Sequence, residues 1–441
     1  MIDLTRLVEG VVEQLKTEAD RLLRSAPKSV GEAEAAGCEF GRAASEALLG
    51  AIAERWGTGH VGPFHTDEHG ITREFHRHGK REILTLAGPL KLRRAYYLDR
   101  GGSRGGVFPL DAQIGVGSGD LSRELAEIVA QIGALVPFPE DARLIERTLR
   151  LAISPQTARR TTEAIGHELL RQQDRDAAAA LADSKSVERE MKSDRVAVSL
   201  DGVMAHVGGE WREAKIGAIY HFDSDGEQVG KKKRYVSRIG TPDDLRAPLT
   251  LEALRMGAYE ASSLAALGDG APWIWNLVAD VFPGATEILD YYHALEHAAA
   301  VARARFDGKK SAVTAWLAMV EARLFRDDVA WLIGQVDKFA RQVGPPPKGC
   351  LDDDPRQVFK ANLDYFTKNR HRMTYASFRA RGLPIGSGVV EAGCKSLVQH
   401  RMKAAGMRWS VLGADGVLAV RAAVLSRTLA KRLRQLSRAA A

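Results

Sequence analysis

A run of apolar residues that ends in a carboxylate constrains the fold of this 441-residue chain more than any other feature. The segment VAVSLDGV is almost continuously apolar up to Asp201, a pattern typical of a strand buried on both faces of a sheet. A carboxylate at the end of such a strand is costly unless it is paired or binds a cation. We therefore expect a central strand that brings Asp201 to a charged partner or a metal ion.

The residues that follow predict a mixed sheet. Two more strands are expected in WREAKIGAIYHF and KKKRYVSRIG, and strands then alternate with helices. The last two strands are expected in SLAALGDGAPW and TEILD, and they end in a carboxylate at Asp269 and Asp290. Three antiparallel strands before alternating strands and helices are the order of an RNase H-like sheet. In that sheet the first and fourth strands are neighbours, so we expect Asp201 and Asp269 to meet at one edge.

A glycine-punctuated turn runs into a basic helix near the end of the chain, in LPIGSGVVEAGCKSLVQHRMKAAGMRWS. Glu391 is its one carboxylate, and it stands four residues before Lys395, the spacing of an ordinary ion pair on a solvated helix. Alternatively, Glu391 joins the strand-end aspartates. Phosphodiester cleavage by two divalent ions requires carboxylates that hold the metals about 3.5 to 4 Å apart. Two aspartates and a glutamate supply the oxygen ligands that Mg2+ prefers.

Four stretches of the chain carry a family resemblance: SLDGV, GDGAPWIWN, FPGATEILDYYHALEH and the glycine-punctuated segment around Glu391. They resemble the insertion-sequence transposases of the ISKra type, relatives of the Mutator-like and hAT transposases of the DDE superfamily. The resemblance implies an α/β catalytic core of RNase H-like type, with a mixed sheet, flanking helices and a helical insertion. Helical and small β DNA-binding regions would precede that core.

The resemblance also implies roles for single residues. Asp201 and Asp269 match the first and second catalytic aspartates, and Glu391 matches the terminal glutamate. Together they would coordinate two Mg2+ or Mn2+ ions. Asp290 and His293 match an Asp-x-x-His signature that supports the site. In some relatives the aspartate of this signature is the second ligand, so the choice between Asp269 and Asp290 stays open.

The function implied is that of a bacterial insertion-sequence transposase, which binds element ends and catalyses metal-dependent DNA cleavage and strand transfer. Its partners would be the terminal inverted repeats, the target DNA and at least one further copy of the chain. Two alternatives remain: a transposase-derived DNA-binding regulator without catalysis, and a zinc peptidase. The peptidase would use the H-x-x-E-H motif of His293, Glu296 and His297, with both histidines on one helix face and the glutamate as base.

Candidate DNA contacts fall in two places. Ser154 and Pro155 suit the N-cap and first position of the second helix in a helix-turn-helix, whose start can enter the major groove. A helical hairpin with solvated arginines is the alternative. The predicted DNA-contacting residues are Gln156, Arg159 and Arg160 in that helix, and Lys395, Arg401, Lys403 and Arg408 after Glu391.

These patterns divide the chain into six regions. They are an N-terminal helical region (1–59), a small β region (60–117), a helix-turn-helix-like DNA-binding region (118–192), the first part of the catalytic core (193–297), a helical insertion (298–382), and the last part of the core with a basic C-terminal helix (383–441). The β region resembles a degenerate zinc ribbon. We expect no zinc there, because cysteines do not accompany its histidines, His60, His65, His69, His76 and His78.

Charge and cysteine content agree with this division. The net charge of +7 suits a polyanionic partner. The 3 cysteines are too few and too far apart for a disulfide framework, so we expect a reducing compartment. The first residues do not form a basic and then apolar leader, and no apolar run approaches the roughly 20 residues of a membrane span. We therefore expect a cytoplasmic, nucleoid-associated protein.

Overall fold

The computed structural model describes residues 4–67, 70–99, 105–117, 119–404 and 406–440, so His69 of the predicted β region lies outside the described residues. The chain divides into two compact units, Met1–Ile165 with Lys431–Ala441, and Gly166–Ala430. Among the described residues, no helix has the length and apolar character that a membrane span needs.

The first unit joins two long helices to a four-stranded antiparallel sheet. The helices are α1 (Leu4–Arg24) and α2 (Val30–Trp56). The strands pair in chain order and are β1 (Phe64–Thr66), β2 (Thr72–Thr85), β3 (Gly88–Leu98) and β4 (Gly106–Val107). Ile83 of β2 and Leu92 of β3 pack with Ala53 of α2, so α2 and the sheet share a small core.

Four helices follow the first sheet. They are α3 (Pro109–Gln113), α4 (Arg123–Leu135), α5 (Phe138–Leu149) and α6 (Pro155–Ala182), the last of which continues into the second unit. Ser154 caps α6 as predicted, because its hydroxyl accepts a 3.0 Å hydrogen bond from the backbone N–H of Thr157. Arg150, in the left-handed region with φ 56°, ends α5. The two expected helices and the short turn between them are therefore present.

The second unit is a mixed α/β fold on a five-stranded sheet in the spatial order β7-β6-β5-β8-β9. Its strands are β5 (Arg195–Val207), β6 (Glu210–Phe222), β7 (Gln228–Ile239), β8 (Ser263–Gly268) and β9 (Thr286–Leu289). The first three are antiparallel, β8 is parallel to β5, and β9 is parallel to β8. The predicted pairing of the first and fourth strands is confirmed.

One strand is longer than its sequence pattern indicated. The apolar run ends at Asp201, but β5 continues to Val207 and pairs with β6 as far as Glu210. Gly208 and Gly209, both with positive φ, form the two-residue turn of this hairpin. Asp201 therefore lies inside the β5–β6 ladder and beyond the end of the β5–β8 pairing. The Gly-Gly pair signalled this hairpin, and the apolar pattern alone did not.

Helices flank this sheet, and helices also make up the predicted insertion, residues 298–382. They are α7 (Pro242–Arg255), α8 (Pro272–Val281), α9 (Tyr291–Arg305), α10 (Lys310–Leu324), α11 (Val329–Val343), α12 (Pro355–Asn369) and α13 (Tyr375–Ala380). Trp316 and Phe359 from the insertion are nearly fully buried in the same hydrophobic core as Val198 of the sheet. The insertion is thus packed into the unit that carries the sheet.

The C-terminal part returns to the sheet. Its helices are α14 (Gly388–Gly393), a π-helical turn at Cys394–Gln399, α15 (His400–Met402), α16 (Val411–Leu425) and α17 (Leu429–Ala440). Strand β7 is an edge strand, and α16 covers it: Asp415 accepts a 2.8 Å hydrogen bond from the backbone N–H of Ile239, and Ser426 accepts one from Tyr235.

Two glycines meet where α6 crosses α16. A Cβ added at Gly166 would lie 2.0 Å from the carbonyl oxygen of Gly416, and a backbone atom cannot move away as a flexible side chain can. Gly166→Ala should therefore separate the helices and lower the free energy of unfolding by about 1–3 kcal/mol, measured by urea denaturation. Gly334→Ala in α11 is the control, since nothing lies within 4 Å of its Cβ position. An equal effect of both substitutions would contradict the close crossing.

Candidate active site

Three aspartates lie at the same level of three neighbouring strands, Asp201 within β5 and Asp269 and Asp290 directly after β8 and β9. The β5–β8 pairing ends with Ser199 opposite Leu267, and Asp201 and Asp269 each lie two residues further on. The β8–β9 pairing ends with Gly268 opposite Leu289, and Asp269 and Asp290 are the next residues. Neighbouring strands are about 4.8 Å apart, so this register places the three residues side by side in a row.

Asp201 is half-buried, and each of its carboxylate oxygens accepts a hydrogen bond. Oδ1 accepts from the backbone N–H of Gly202 at 2.6 Å, and Oδ2 accepts from the thiol of Cys394 at 3.1 Å. Burial raises the pKa of the Asp201 carboxyl, and the charge of Asp269 raises it further, while the two hydrogen bonds lower it. A bound cation would oppose this increase, because a nearby positive charge favours the ionised carboxylate.

Asp269 is held by the loop that follows β8 and by the insertion. Its Oδ1 accepts a 2.8 Å hydrogen bond from the backbone N–H of Ala271, and its carbonyl oxygen accepts one of 2.7 Å from the hydroxyl of Tyr365. Gly270 has φ +101°, and a Cβ there would lie 2.6 Å from the Tyr365 ring. The Asp-Gly pair is thus required by both the turn and the close approach of α12.

Asp290 is fully buried, with 0% of its surface exposed. Its Oδ1 accepts a 2.8 Å hydrogen bond from the backbone N–H of His293 and so caps α9, while its Oδ2 accepts from the backbone N–H of Ser387. Next to it, the N–H of Tyr291 donates to the carbonyl oxygen of Ile385 at 3.0 Å. These bonds attach the glycine-rich turn before α14 to the end of β9.

This attachment brings Glu391 to the row of aspartates. Asp290, His293 and Glu391 each offer a ligand atom, and these atoms all lie within 4.8 Å of one another. In the described part of the chain, neither Asp201 nor Asp269 belongs to such a group. Glu391 was expected beside Asp201 and Asp269, and the structure instead gathers it with the pair that was expected to support the site.

The donor set of this group suits a divalent metal ion. Two carboxylates and an imidazole match a transition metal that accepts both oxygen and nitrogen, whereas Mg2+ prefers oxygen ligands alone. Nδ1 of His293 also lies 3.4 Å from a carboxylate oxygen of Glu296, a contact of the kind that orients metal-binding histidines. The residues present therefore fit one cation at Asp290, His293 and Glu391.

The ion pair that the sequence allowed for Glu391 does not form. Within the described residues, Glu391 and Lys395 have no contact within the 4.0 Å of an ion pair. The π-helical turn starts at Cys394 and widens the helix, which changes the spacing of the residues after Glu391.

Arg421 supports this turn, because its Nε donates to the carbonyl oxygen of Leu397 at 2.8 Å. Burial lowers the pKa of Arg421 to about 10.

Sequence reasoning did not single out Cys394 or Arg421 for the site. Cys394 was taken only as a sign of the redox compartment, yet its thiol contacts a candidate metal ligand. Burial and the neighbouring charges of Asp201 and Glu391 raise the pKa of the Cys394 thiol, so it stays protonated. A cysteine three residues after a candidate catalytic glutamate, on one helix face, was the available signal.

Three of the basic residues predicted to bind DNA after Glu391 are exposed, namely Lys395, Lys403 and Arg408. Arg401 is not, and its predicted phosphate contact is wrong. Only 1% of its surface is exposed, its guanidinium lies 4.7 Å from the centre of the Trp409 ring, and its Nη1 is 3.4 Å from the sulfur of Met407. Arg401 thus packs inside the turn that precedes α16.

The candidate contacts in α6 are partly engaged with one another. Gln156 and Arg160 are exposed, while Arg159 is half-buried. Arg159 donates to the side-chain oxygen of Gln156 at 3.2 Å and pairs with Glu163 at 3.2 Å. Both contacts lie within one helix, and the pair with Glu163 is only partly buried, so they contribute little to stability.

The second histidine of the H-x-x-E-H motif is turned towards α12. Nδ1 of His297 lies 2.7 Å from the side-chain oxygen of Asn362, and its ring stacks on Tyr365 with 3.7 Å between ring centres. Burial lowers the pKa of His297. The metal-ligand group contains His293 without His297, so the geometry does not favour the zinc-peptidase alternative.

The sequence matches no model of a known protein family, and no curated protein is significantly similar to it. The site, more than the fold, indicates the function of this chain, because one fold can support many different reactions. The site offers a row of aspartates, a glutamate and a histidine from distant segments, and a nearby exposed basic surface.

Proposed function

We propose that this chain is a metal-dependent DNA transposase with a DDE-type site on an RNase H-like core. One observation carries the proposal: Asp201 in β5 and Asp269 and Asp290 directly after β8 and β9 lie at the same level of three neighbouring strands, and Glu391 from a distant helix is gathered with Asp290. The strand order supports the RNase H-like type, since the first three strands are antiparallel and the fourth is parallel to the first.

The acidic residues would bind two cations at two neighbouring sets of ligands. Asp290, His293 and Glu391 would hold one ion, and Asp201 with Asp269, its neighbour in the row, would hold a second. Bound divalent ions would activate a water or a 3′-hydroxyl and stabilise the leaving oxygen. Asp290 has a further task, because its bond to Ser387 keeps the helix of Glu391 against the sheet.

Exposed cations near Glu391 would hold the DNA backbone. Lys395, Lys403 and Arg408 are exposed on the segment that follows Glu391. The backbone N–H of Gly208 donates to the carbonyl oxygen of Trp409 at 2.8 Å, which places the tip of the β5–β6 hairpin next to this segment. Trp211 near that tip is 64% exposed. A basic surface with an exposed aromatic ring suits phosphate contacts and base stacking.

The test is cleavage of the DNA that flanks the gene. Purified protein, labelled flanking DNA and Mn2+ or Mg2+ should give cuts at the ends of inverted repeats, followed by joining to a target plasmid. A chelator should stop both reactions, and DNA with scrambled ends should stay intact. Tight end binding without cleavage in either metal would contradict the proposal and support a DNA-binding regulator. Stoichiometric zinc with peptide hydrolysis would instead support the peptidase.

A further inference from the structure

We infer that Cys394 is a positioning residue that fixes the carboxylate of Asp201 through an S–H···O hydrogen bond. This inference rests on the proposed function, which gives Asp201 a cation to bind. It goes further by assigning a role to a residue type that a two-metal nuclease site does not require. The thiol acts as a donor to the metal ligand and is not itself a ligand.

The contacts of Asp201 show how this fixation works. Oδ2 accepts from the Cys394 thiol at 3.1 Å, and Oδ1 accepts from the N–H of Gly202 at 2.6 Å. The two donors belong to different elements, the π-helical turn and β5, so rotation of the carboxylate would break a bond on each side. Each carboxylate oxygen has a second lone pair, which remains for a cation.

Cys394 is itself held firmly. Only 4% of its surface is exposed. The residue before it, Gly393, lies against the Tyr235 ring, where an added Cβ would be 2.6 Å from Cε1. The Tyr235 hydroxyl donates to the carbonyl oxygen of Val389 at 3.1 Å, so β7 fixes both ends of α14. A thiol with this little freedom can orient its acceptor.

The arrangement couples the two ends of the row of aspartates. Glu391 and Cys394 lie three residues apart, one gathered with Asp290 and the other bonded to Asp201. The same short helical segment therefore supplies a candidate ligand at one end of the row and the donor that orients a candidate ligand at the other end. Partners that orient metal ligands typically change metal affinity about 10-fold to 100-fold when they are removed.

Infrared spectroscopy tests the hydrogen bond without any metal. The S–H stretching band of Cys394 is isolated as the difference between wild-type protein and Cys394→Ala. In Asp201→Asn this band should move to higher frequency, because the asparagine NH2 group that would face the thiol cannot accept its hydrogen bond. Cys350→Ala, which removes a thiol elsewhere in the same unit, identifies the unrelated band. A Cys394 band that is unchanged by Asp201→Asn would overturn the inference.

Mn2+ binding, measured by electron paramagnetic resonance, tests the consequence. Cys394→Ala should weaken Mn2+ binding at least about 10-fold, and Cys394→Ser, which keeps a donor, should recover most of the loss. In cleavage assays the metal concentration for half-maximal rate should rise more than the maximal rate falls. Both Cys394 variants should keep the wild-type temperature of thermal unfolding, and Cys350→Ala should bind Mn2+ like wild type. These controls separate the loss of Mn2+ affinity from general destabilisation.

The remaining outcomes separate the two proposals. Equal Mn2+ affinity in wild-type protein and Cys394→Ala would overturn the role of Cys394 and leave the proposed function standing. Wild-type protein that bound no Mn2+ would overturn the proposed function and this role with it. With Co2+, a sulfur-to-metal charge-transfer band that disappears in Cys394→Ser would make the thiol a ligand and would also overturn the inference.

Discussion

Asp201→Asn should abolish metal-dependent cleavage of element ends, by about a thousandfold or more, while end binding stays close to wild type. Asparagine keeps the shape of the side chain, and its oxygen can still accept from the N–H of Gly202. It removes the negative charge that a cation requires, and its amide group would face the Cys394 thiol. The measurements are end cleavage under single-turnover conditions and end binding by gel shift.

The same loss is expected for Asp269→Asn and Glu391→Gln. Asp225→Asn is the matched control, since Asp225 is an exposed aspartate in the turn between β6 and β7 of the same sheet. Cleavage retained by any one of the three variants would remove that residue from the site. If Glu391→Gln alone kept its activity, the gathering of Glu391 with Asp290 and His293 would have no part in the reaction.

Asp290→Asn should impair both the stability of the second unit and cleavage. Asparagine can still cap α9 with its oxygen, but its NH2 group would then face the backbone N–H of Ser387, which loses its acceptor. A buried donor without a partner costs about 1–3 kcal/mol, and Asp290 is shielded from bulk water, with 0% of its surface exposed. We expect a decrease of this size in the free energy of unfolding, together with loss of cleavage.

Hydrogen exchange can locate the damage caused by Asp290→Asn. Amides of the turn and of α14, residues 385–393, should exchange faster than in wild type, while those of β5 and β6 keep their protection. Asp354→Asn is a suitable control, because Asp354 caps α12 by accepting from the N–H of Arg356 without bridging to a distant segment. If exchange in α14 were unchanged, Asp290 would not be the residue that holds Glu391 against the sheet.

The sequence predicted the parts of the site that depend on strand order. Asp201 and Asp269 follow apolar runs, and the order of strands and helices was sufficient to make β5 and β8 neighbours. The companions of Glu391 could not be predicted in the same way. They depend on the bond between Asp290 and Ser387, which are 97 residues apart, and on a π-helical turn that has no clear sequence signal.

The error at Arg401 has a related cause. A basic residue in a basic segment was expected to face solvent, since arginine is rarely buried without a partner. The burial of Arg401 depends on Trp409, eight residues later, which folds back over its guanidinium. The pattern of residue types along the sequence does not predict that Trp409 packs over Arg401. Lys395, Lys403 and Arg408 are exposed, as a basic segment predicts.

The position of Glu391 along the chain gives the site an order of assembly during synthesis. The five strands and their three aspartates are complete once residue 290 has been made, whereas α14 is translated after the whole helical insertion. Since proteins fold from the N-terminus as they emerge from the ribosome, the sheet can form while the chain still lacks its glutamate. A nascent or truncated chain would therefore have the sheet without the fourth carboxylate, and the proposed nuclease activity would require a chain whose translation is nearly complete.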